Sequence, residues 1–158
     1  MTLAYPPDWT AIEPRACTPG SPNCIIRLSH SPSEDVKIEI IRFPSGTFAS
    51  GDIDKEEQVD WTLSLVVAEA NGIDDQLIKT ISRTKILVDG KTAIRRVYEY
   101  PMVDLASLKV KGFWYIDRII IMNGEDQYYF EMRTSVEEEF KVYQTVADQI
   151  VNTIVFLK

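Results

Sequence analysis

Alternating apolar and polar positions recur along much of the chain and predict β-strands. These stretches are rich in the β-branched and aromatic residues that favour strands. The first stretch ends at Ile12, and the others cover residues 24–28, 36–43, 78–88, 93–100, 109–122 and 127–134. Asp89-Gly90 and Asn123-Gly124 each separate two neighbouring stretches, and both dipeptides are typical of tight β-hairpin turns. The pattern therefore predicts a mainly antiparallel sheet.

Two other segments show helical spacing. A helix is predicted over residues 55–70, because a capping-box pattern precedes its apolar stripe and Asn-Gly follows it. A second helix is predicted from a capping box at Ser135 to about Asn152, and the apolar tail 153–157 then adds an edge strand or docks on the core. Both faces of the hairpin strands carry apolar residues, so we expect cover on both sides. The predicted fold class is α/β (α+β), an α-β-α sandwich with a central, mainly antiparallel sheet flanked by helices.

Length and charge narrow the class of protein. A chain of 158 residues without repeats or a linker suits one domain, residues 1–158. Its net charge of −7 disfavours general binding to nucleic acid or anionic lipid. The longest apolar run, residues 119–122, is too short to span a membrane, and the first residues lack the pattern of a signal peptide. We therefore expect neither a nucleic-acid partner nor a membrane span in this chain.

Candidate chemistry is sparse. His30 is the one histidine, which excludes multi-histidine metal sites, and its polar surroundings predict a solvated loop histidine. The sequence contains no glycine-rich phosphate loop, no GxSxG elbow and no HExxH pair. We therefore predict no catalytic, cofactor-binding or metal-binding residues.

The two cysteines, Cys17 and Cys24, flank a segment with two prolines and a glycine. Such a turning loop brings two sulfur atoms together, whereas the spacing is not that of a CxxC redox site. A disulfide is favoured over two free thiols, and it favours an extracytoplasmic or membrane-anchored location, with a lipid anchor upstream, over a cytoplasmic one.

A basic face is predicted on the first hairpin. A two-residue turn at Asp89-Gly90 pairs Val88 with Lys91 and so fixes which residues share a face. One of the two faces then carries basic and aromatic side chains, which are types enriched at protein interfaces. Its candidate partner-binding residues are Lys79, Arg83, Lys85, Arg96 and Tyr98. The alternative is that these cations only solvate the sheet or pair with acidic residues of the first helix.

Both ends of the chain carry motifs that point to a family. Tyr5-Pro6-Pro7-Asp8-Trp9 at the start and the run from Ile150 to Phe156 at the end resemble the terminal motifs of the PsbP-like superfamily. The resemblance implies an α-β-α sandwich around a mainly antiparallel sheet. It also implies protein binding rather than catalysis, and an affinity with extracytoplasmic lipoproteins.

Three functions are compatible with these observations. We expect a non-catalytic protein-binding or scaffold module without a cofactor; the alternative is an extracytoplasmic protein that binds a small molecule or a lipid. An enzyme of unrecognised type ranks third. A cavity with converging polar groups would favour the second or third function, whereas an exposed aromatic and basic patch would favour the first.

The cysteine pair gives the first testable prediction. We expect a Cys17–Cys24 disulfide that stabilises the protein by about 2 kcal/mol, because it closes a short loop. Intact mass after alkylation of the unreduced protein measures this directly. Two alkylated thiols would contradict both the disulfide and the extracytoplasmic location inferred from it.

Overall fold

The computed structural model describes residues 1–12, 24–30, 36–43, 77–104, 106–107, 109–124 and 126–157. These ranges contain seven strands and one helix: β1 (Trp9–Ile12), β2 (Cys24–His30), β3 (Lys37–Phe43), β4 (Lys79–Val88), β5 (Lys91–Asp104), β6 (Lys109–Asn123), β7 (Asp126–Thr134) and α1 (Glu137–Val151). The helix predicted over residues 55–70 and the residue Cys17 lie outside the described residues.

The seven strands form one antiparallel sheet in the order β1-β2-β3-β7-β6-β5-β4. Two meanders make it up: β1 to β3 are neighbours in sequence, as are β4 to β7, and β3 pairs with β7 to join them. The fold is thus α+β, with an antiparallel sheet and, among the described residues, one helix near the C-terminal end. No helix within the described ranges is long and apolar enough to cross a bilayer.

The two predicted hairpin turns lie where the sequence places them. At the β4–β5 turn, Asp89 and Gly90 have φ values of 50° and 72°, and Val88 pairs with Lys91. Positive φ at both central residues defines the hairpin turn whose twist matches the flanking strands. At the β6–β7 turn, Asn123 pairs with Asp126 across a two-residue loop.

One face of the sheet, here called the helix face, packs against α1. Its cross-strand pairs include Ile119 with Phe130 and Ile121 with Tyr128, which confirms the face predicted for these residues. The helix contributes apolar side chains that are all buried in the same cluster, namely Phe140, Ala147, Ile150 and Val151. This layer is the main hydrophobic core.

A charged cluster crosses the interface between α1 and the helix face. Asp117 is fully buried on β6, and its Oδ1 accepts a hydrogen bond from Arg95 Nε at 2.9 Å. Arg95 also reaches Asp148 of α1, with 2.7 Å between Nη1 and Oδ1. Because a buried carboxylate needs a partner, Arg95 satisfies Asp117 and ties the helix to the sheet.

The opposite face, here called the outer face, is also buried at its centre. The side chains with little exposure there are Ile94, Tyr98, Ile116, Ile120 and Tyr129. A sheet with two apolar faces is expected to be covered on both sides; in the described part of the chain, a helix lies on the helix face only.

The start of α1 differs from the prediction. Val136, not Ser135, is the N-terminal cap residue, and no side chain caps it. The Thr134 hydroxyl at the end of β7 instead accepts a hydrogen bond from the Val136 amide at 3.2 Å. The predicted capping box is therefore wrong: the N-cap residue has no side-chain oxygen, and the Thr134 hydroxyl takes the place of the glutamate that would accept a hydrogen bond from the N-cap amide.

The C-terminal tail docks on the core, one of the two predicted outcomes. Ile154 and Phe156 are buried, and Phe156 packs edge-on against Tyr128 with ring centroids 4.9 Å apart. The Phe156 amide also donates to Asp89 Oδ2 at 2.9 Å, while Val155 bridges to Thr2. The tail thereby links the first hairpin to the start of the chain.

The core assignment gives the second prediction. Phe130→Ala should lower the free energy of unfolding by about 3–5 kcal/mol, since Phe130 is fully buried on β7 within the main hydrophobic core. Val142→Ala on the exposed side of α1 is the matched control and should change it by less than about 0.5 kcal/mol. Chemical denaturation of both variants measures the difference. A loss below about 1 kcal/mol for Phe130→Ala would contradict the face assignment.

Candidate functional site

Four of the five predicted partner-binding residues lie on the outer face, and one does not. Arg83, Lys85, Arg96 and Tyr98 share the outer face. Lys79 lies on the helix face, where its Nζ is 3.2 Å from Glu99 Oε1. A β-bulge at Ile81 shifts the register between Thr80 and Ser82, and one extra residue moves every earlier side chain to the other face. The predicted face of Lys79 is therefore wrong.

Two of the predicted residues are buried. Arg96 is 6% exposed and Tyr98 is 2% exposed. Arg96 donates from Nε and Nη2 to the Thr80 hydroxyl at 3.1 and 2.9 Å, and its guanidinium lies 4.8 Å from the centre of the Tyr98 ring. The Arg96 and Tyr98 side chains therefore pack inside the protein and present little surface to a partner.

A row of charged residues, here called the charged row, crosses the outer face from β4 to β2. Each member is the direct cross-strand partner of the next, in the order Arg83, Arg96, Arg118, Glu131, Glu39 and Arg27. Paired residues of antiparallel strands share a face, so the six side chains lie at one level of the sheet. The sequence does not reveal this row, because it depends on the register between strands that are distant in the chain.

Ion pairs neutralise the acidic members of the charged row. Arg118 donates from Nε and Nη2 to Glu131 Oε2 at 2.9 and 2.6 Å, and its guanidinium lies 5.5 Å from both the Tyr98 and the Tyr129 rings. Arg27 Nη2 lies 2.6 Å from Glu39 Oε1. Such charge-assisted contacts fix the orientation of both guanidinium groups.

Positive charge is in excess on the outer face, although the whole chain carries −7. Within the regularly paired part of the described sheet, the outer face carries seven basic residues and two glutamates: Arg27, Lys37, Arg83, Lys85, Arg96, Arg118 and Arg133, with Glu39 and Glu131. The asymmetry gives this side of the sheet a local potential that attracts anions.

A cavity of about 180 Å³ opens on the outer face over β5, β6 and β7. Aromatic, apolar and charged side chains line it together: Tyr98, Tyr100, Trp114, Ile116, Arg118, Glu131 and Arg133. The guanidinium of Arg133 lies 5.9 Å from the Trp114 ring centre, within the range of a cation–π contact. The alternation along β6 and β7 indicates that these residues share a face, but it does not indicate that they enclose a cavity.

His30 is the centre of a second polar cluster, and the prediction of a solvated loop histidine is wrong. It ends β2, is 17% exposed, and packs against the rings of Trp9 and Tyr143. Its Nε2 lies 3.0 Å from Asp8 Oδ2, and its Nδ1 lies 2.9 Å from the Tyr143 hydroxyl. Burial, assisted by the Glu139 and Asp8 carboxylates, raises the pKa of Tyr143 and keeps its hydroxyl protonated. The cluster joins the start of the chain to β2 and α1.

Metal coordination finds no support in the part of the chain that the structure describes. No group of three or more His, Cys, Asp or Glu side chains lies close enough to hold a metal ion there. The carboxylates of Glu39, Asp117 and Glu131 are instead paired with arginines. What these residues form is a charged and aromatic surface around a small cavity.

Comparison with solved structures identifies the fold. Cyanobacterial PsbP from Synechocystis sp. PCC 6803 superposes with a TM-score of 0.64 at 14% identity, over 98% of this chain and 85% of that protein. Protein PA94 from Pseudomonas aeruginosa, a putative regulator of unknown function, gives 0.57 at 14% identity, over 100% and 98%. A protein from Bacteroides thetaiotaomicron VPI-5482 gives 0.56 at 13% identity, over 99% of this chain and 44% of that one.

These likenesses establish the PsbP-like fold that the terminal motifs indicate. At identities of 13–14% they define architecture and not activity. No protein-family model and no curated protein sequence matches the chain. The features of this chain that bear on function are the residues of its charged and aromatic surface.

The burial of Arg96 gives the third prediction. Arg96→Ala should lower the free energy of unfolding by about 2–3 kcal/mol, since it removes two hydrogen bonds to Thr80 and the contact with Tyr98. Lys85→Ala, on an exposed position of the same face, should change it by less than about 0.5 kcal/mol. Thermal and urea unfolding of the two variants provide the measurement. Equal, small effects would show that Arg96 is a surface residue after all.

Proposed function

We propose that this protein is a non-catalytic module that binds an acidic segment of a partner protein along strand β4. The observation that supports this is the exposed, basic and apolar character of that strand. In the described sheet β4 has one neighbour, β5, and stands at the edge of the strand order. Most of its positions are exposed, in contrast to those of β5.

The side chains of β4 combine charge with apolar surface. Leu87 is 71% exposed and Ile81 is 51% exposed, both large values for such residues. Lys85 is exposed on the outer face, and the bulge at Ile81 directs Lys79 to the helix face. We call these four residues the β4 surface. It presents ammonium groups on both sides of the strand, with apolar contacts between them.

An extended peptide is the partner that fits such a strand. Edge strands carry a row of main-chain N–H and C=O groups, and an incoming strand pairs with them while its side chains determine specificity. Glutamate or aspartate side chains on that peptide would meet Lys79 and Lys85. A second copy of the chain is a poorer occupant, because two β4 strands would place like charges together.

The proposed contact surface includes fewer of the partner-binding residues that the sequence predicts. Lys79 and Lys85 remain contact residues, whereas Arg96 and Tyr98 are buried on the neighbouring strand β5 and Arg83 is half-buried. The role of the buried pair is to hold β5 rigid behind β4. Steered association with an acidic partner follows from charge and depends on salt.

The chemistry of the described residues supports a non-catalytic role. His30, the one histidine of the chain, contacts Asp8 through one ring nitrogen and Tyr143 through the other. An imidazole engaged on both nitrogens is poorly placed to take a proton from a substrate. No cofactor is part of the proposal.

We also propose a location for the protein and a second layer of helices on the outer face. The cysteine pair and the PsbP-like fold favour an extracytoplasmic or membrane-anchored protein, with the cytoplasm as the alternative. The burial of Ile94 and Ile120 on the outer face supports an α-β-α sandwich with helices on both sides.

The alternative function, binding of a small molecule or a lipid, depends on the cavity. Its volume of about 180 Å³ is below the roughly 300–1,000 Å³ of typical ligand sites. A lipid chain does not fit, whereas a ligand the size of one ring does.

The fourth prediction tests the β4 surface with a labelled valine-rich peptide whose two glutamates are five positions apart, the separation of the β5 residues opposite Lys79 and Lys85, so that one carboxylate projects to each face. Fluorescence anisotropy should show binding that weakens about tenfold between low and high salt, since charge attraction contributes to it. Lys79→Gln/Lys85→Gln should reduce the affinity by about tenfold, because each lysine meets one carboxylate.

Two controls make this test specific. Lys109→Gln/Lys111→Gln removes the same charge from exposed positions of β6 and should leave the affinity unchanged. A peptide methylated on every backbone nitrogen of the pairing segment should fail to bind, because neither of its edges can donate hydrogen bonds to an edge strand. Equal loss in both lysine variants, or binding of the methylated peptide, would contradict docking on β4.

A further inference from the structure

We propose that the cavity on the outer face is a binding site for a small aromatic carboxylic acid in its ionised form. The site lies over β5, β6 and β7 and is separate from the β4 surface, so the inference does not depend on the proposed protein partner. Three properties of the cavity carry it: its charge, its size, and the position of Arg133.

The charge of the lining matches a monoanion. Arg118 and Arg133 contribute two positive charges and Glu131 one negative charge, which leaves a net charge of +1 among the described lining residues. Arg118 is committed to Glu131 through two hydrogen bonds from Nε and Nη2. The remaining charge is therefore that of Arg133.

Arg133 is placed to receive a carboxylate. Its closest polar contact among the described residues is Glu39 Oε1 at 3.9 Å, and that oxygen lies 2.6 Å from Arg27. The Arg133 side chain is 36% exposed, and its guanidinium lies over the Trp114 ring. A planar guanidinium group presents paired N–H donors that match the two oxygens of a carboxylate.

The walls of the cavity fit one flat ring. Trp114 and Tyr100, which pair across β6 and β5, provide aromatic surface, and Ile116, two residues further along β6, provides a buried apolar contact. Cavities of roughly 150 Å³ accept a benzene ring, and this one measures about 180 Å³. One ring with its carboxylate fills it, so larger cofactors are excluded by size.

Phenylacetate is the probe for this site, and NMR of the tryptophan indole N–H groups is the readout. The chain has three tryptophans, and Trp114→Phe identifies the signal of Trp114. We expect that signal to shift on titration, with a dissociation constant of roughly 1 mM or below. Acetate, which lacks the ring, and benzylamine, which carries the opposite charge, should bind at least about tenfold more weakly.

Two arginine variants locate the carboxylate. Arg133→Gln should weaken phenylacetate binding by about tenfold or more, because the charged donor is lost. Arg42→Gln is the matched control: Arg42 is an exposed arginine on β3 paired with Asp126, outside the cavity, and its loss should leave the affinity unchanged. Circular dichroism confirms that both variants stay folded.

Any of the following results would overturn the proposed binding of an aromatic carboxylate in the cavity. Absence of a Trp114 shift, or equal affinity for phenylacetate, acetate and benzylamine, removes the aromatic acid as the ligand class. Unchanged affinity in Arg133→Gln removes the cavity as the site. Tighter binding of N-acetylphenylalanine than of phenylacetate reassigns the cavity to the terminus of a peptide chain. None of these results affects the β4 test, which uses different residues and a different probe.

Discussion

The ion pair between Arg118 and Glu131 is the contact on which the outer face depends. It lies in the middle of the charged row, between the arginines of β4 and β5 and the glutamate of β3. A charge taken out of water needs a partner, and the two side chains satisfy each other across β6 and β7. Their fixed geometry orients the neighbouring Tyr98 and Tyr129 rings and leaves the positive charge of Arg133 to face the cavity.

Both faces of the sheet carry charged side chains, but these charges are arranged differently. On the helix face, one arginine, Arg95, joins the buried Asp117 to Asp148 of α1, so the charges serve to attach the helix. On the outer face the charges run across the strands, and basic residues outnumber acidic ones. The first arrangement consumes its charge internally. The second leaves an excess of positive charge, which is the basis for the cavity site proposed on that side.

The sequence predicts the strands, both hairpins and the main core well, because these depend on local patterns. Three features escape it for physical reasons. The bulge at Ile81 has no glycine or proline to mark it, so Lys79 is assigned to the wrong face. The burial of Arg96 depends on contacts with Thr80 and Tyr98 that alternation cannot show. The cluster around His30 joins residues from three distant parts of the chain.

The strand order has a consequence for how the chain folds. Each meander forms from strands that are neighbours in sequence, so its contacts close short loops at small entropic cost. The β3–β7 pairing joins Ile40 to Phe130 and requires a much longer loop to close. Non-local pairings of this kind slow folding and form after local ones. We therefore expect the seam between the two meanders to form last, and a chain that has folded only its C-terminal meander would expose β7 as an unprotected edge.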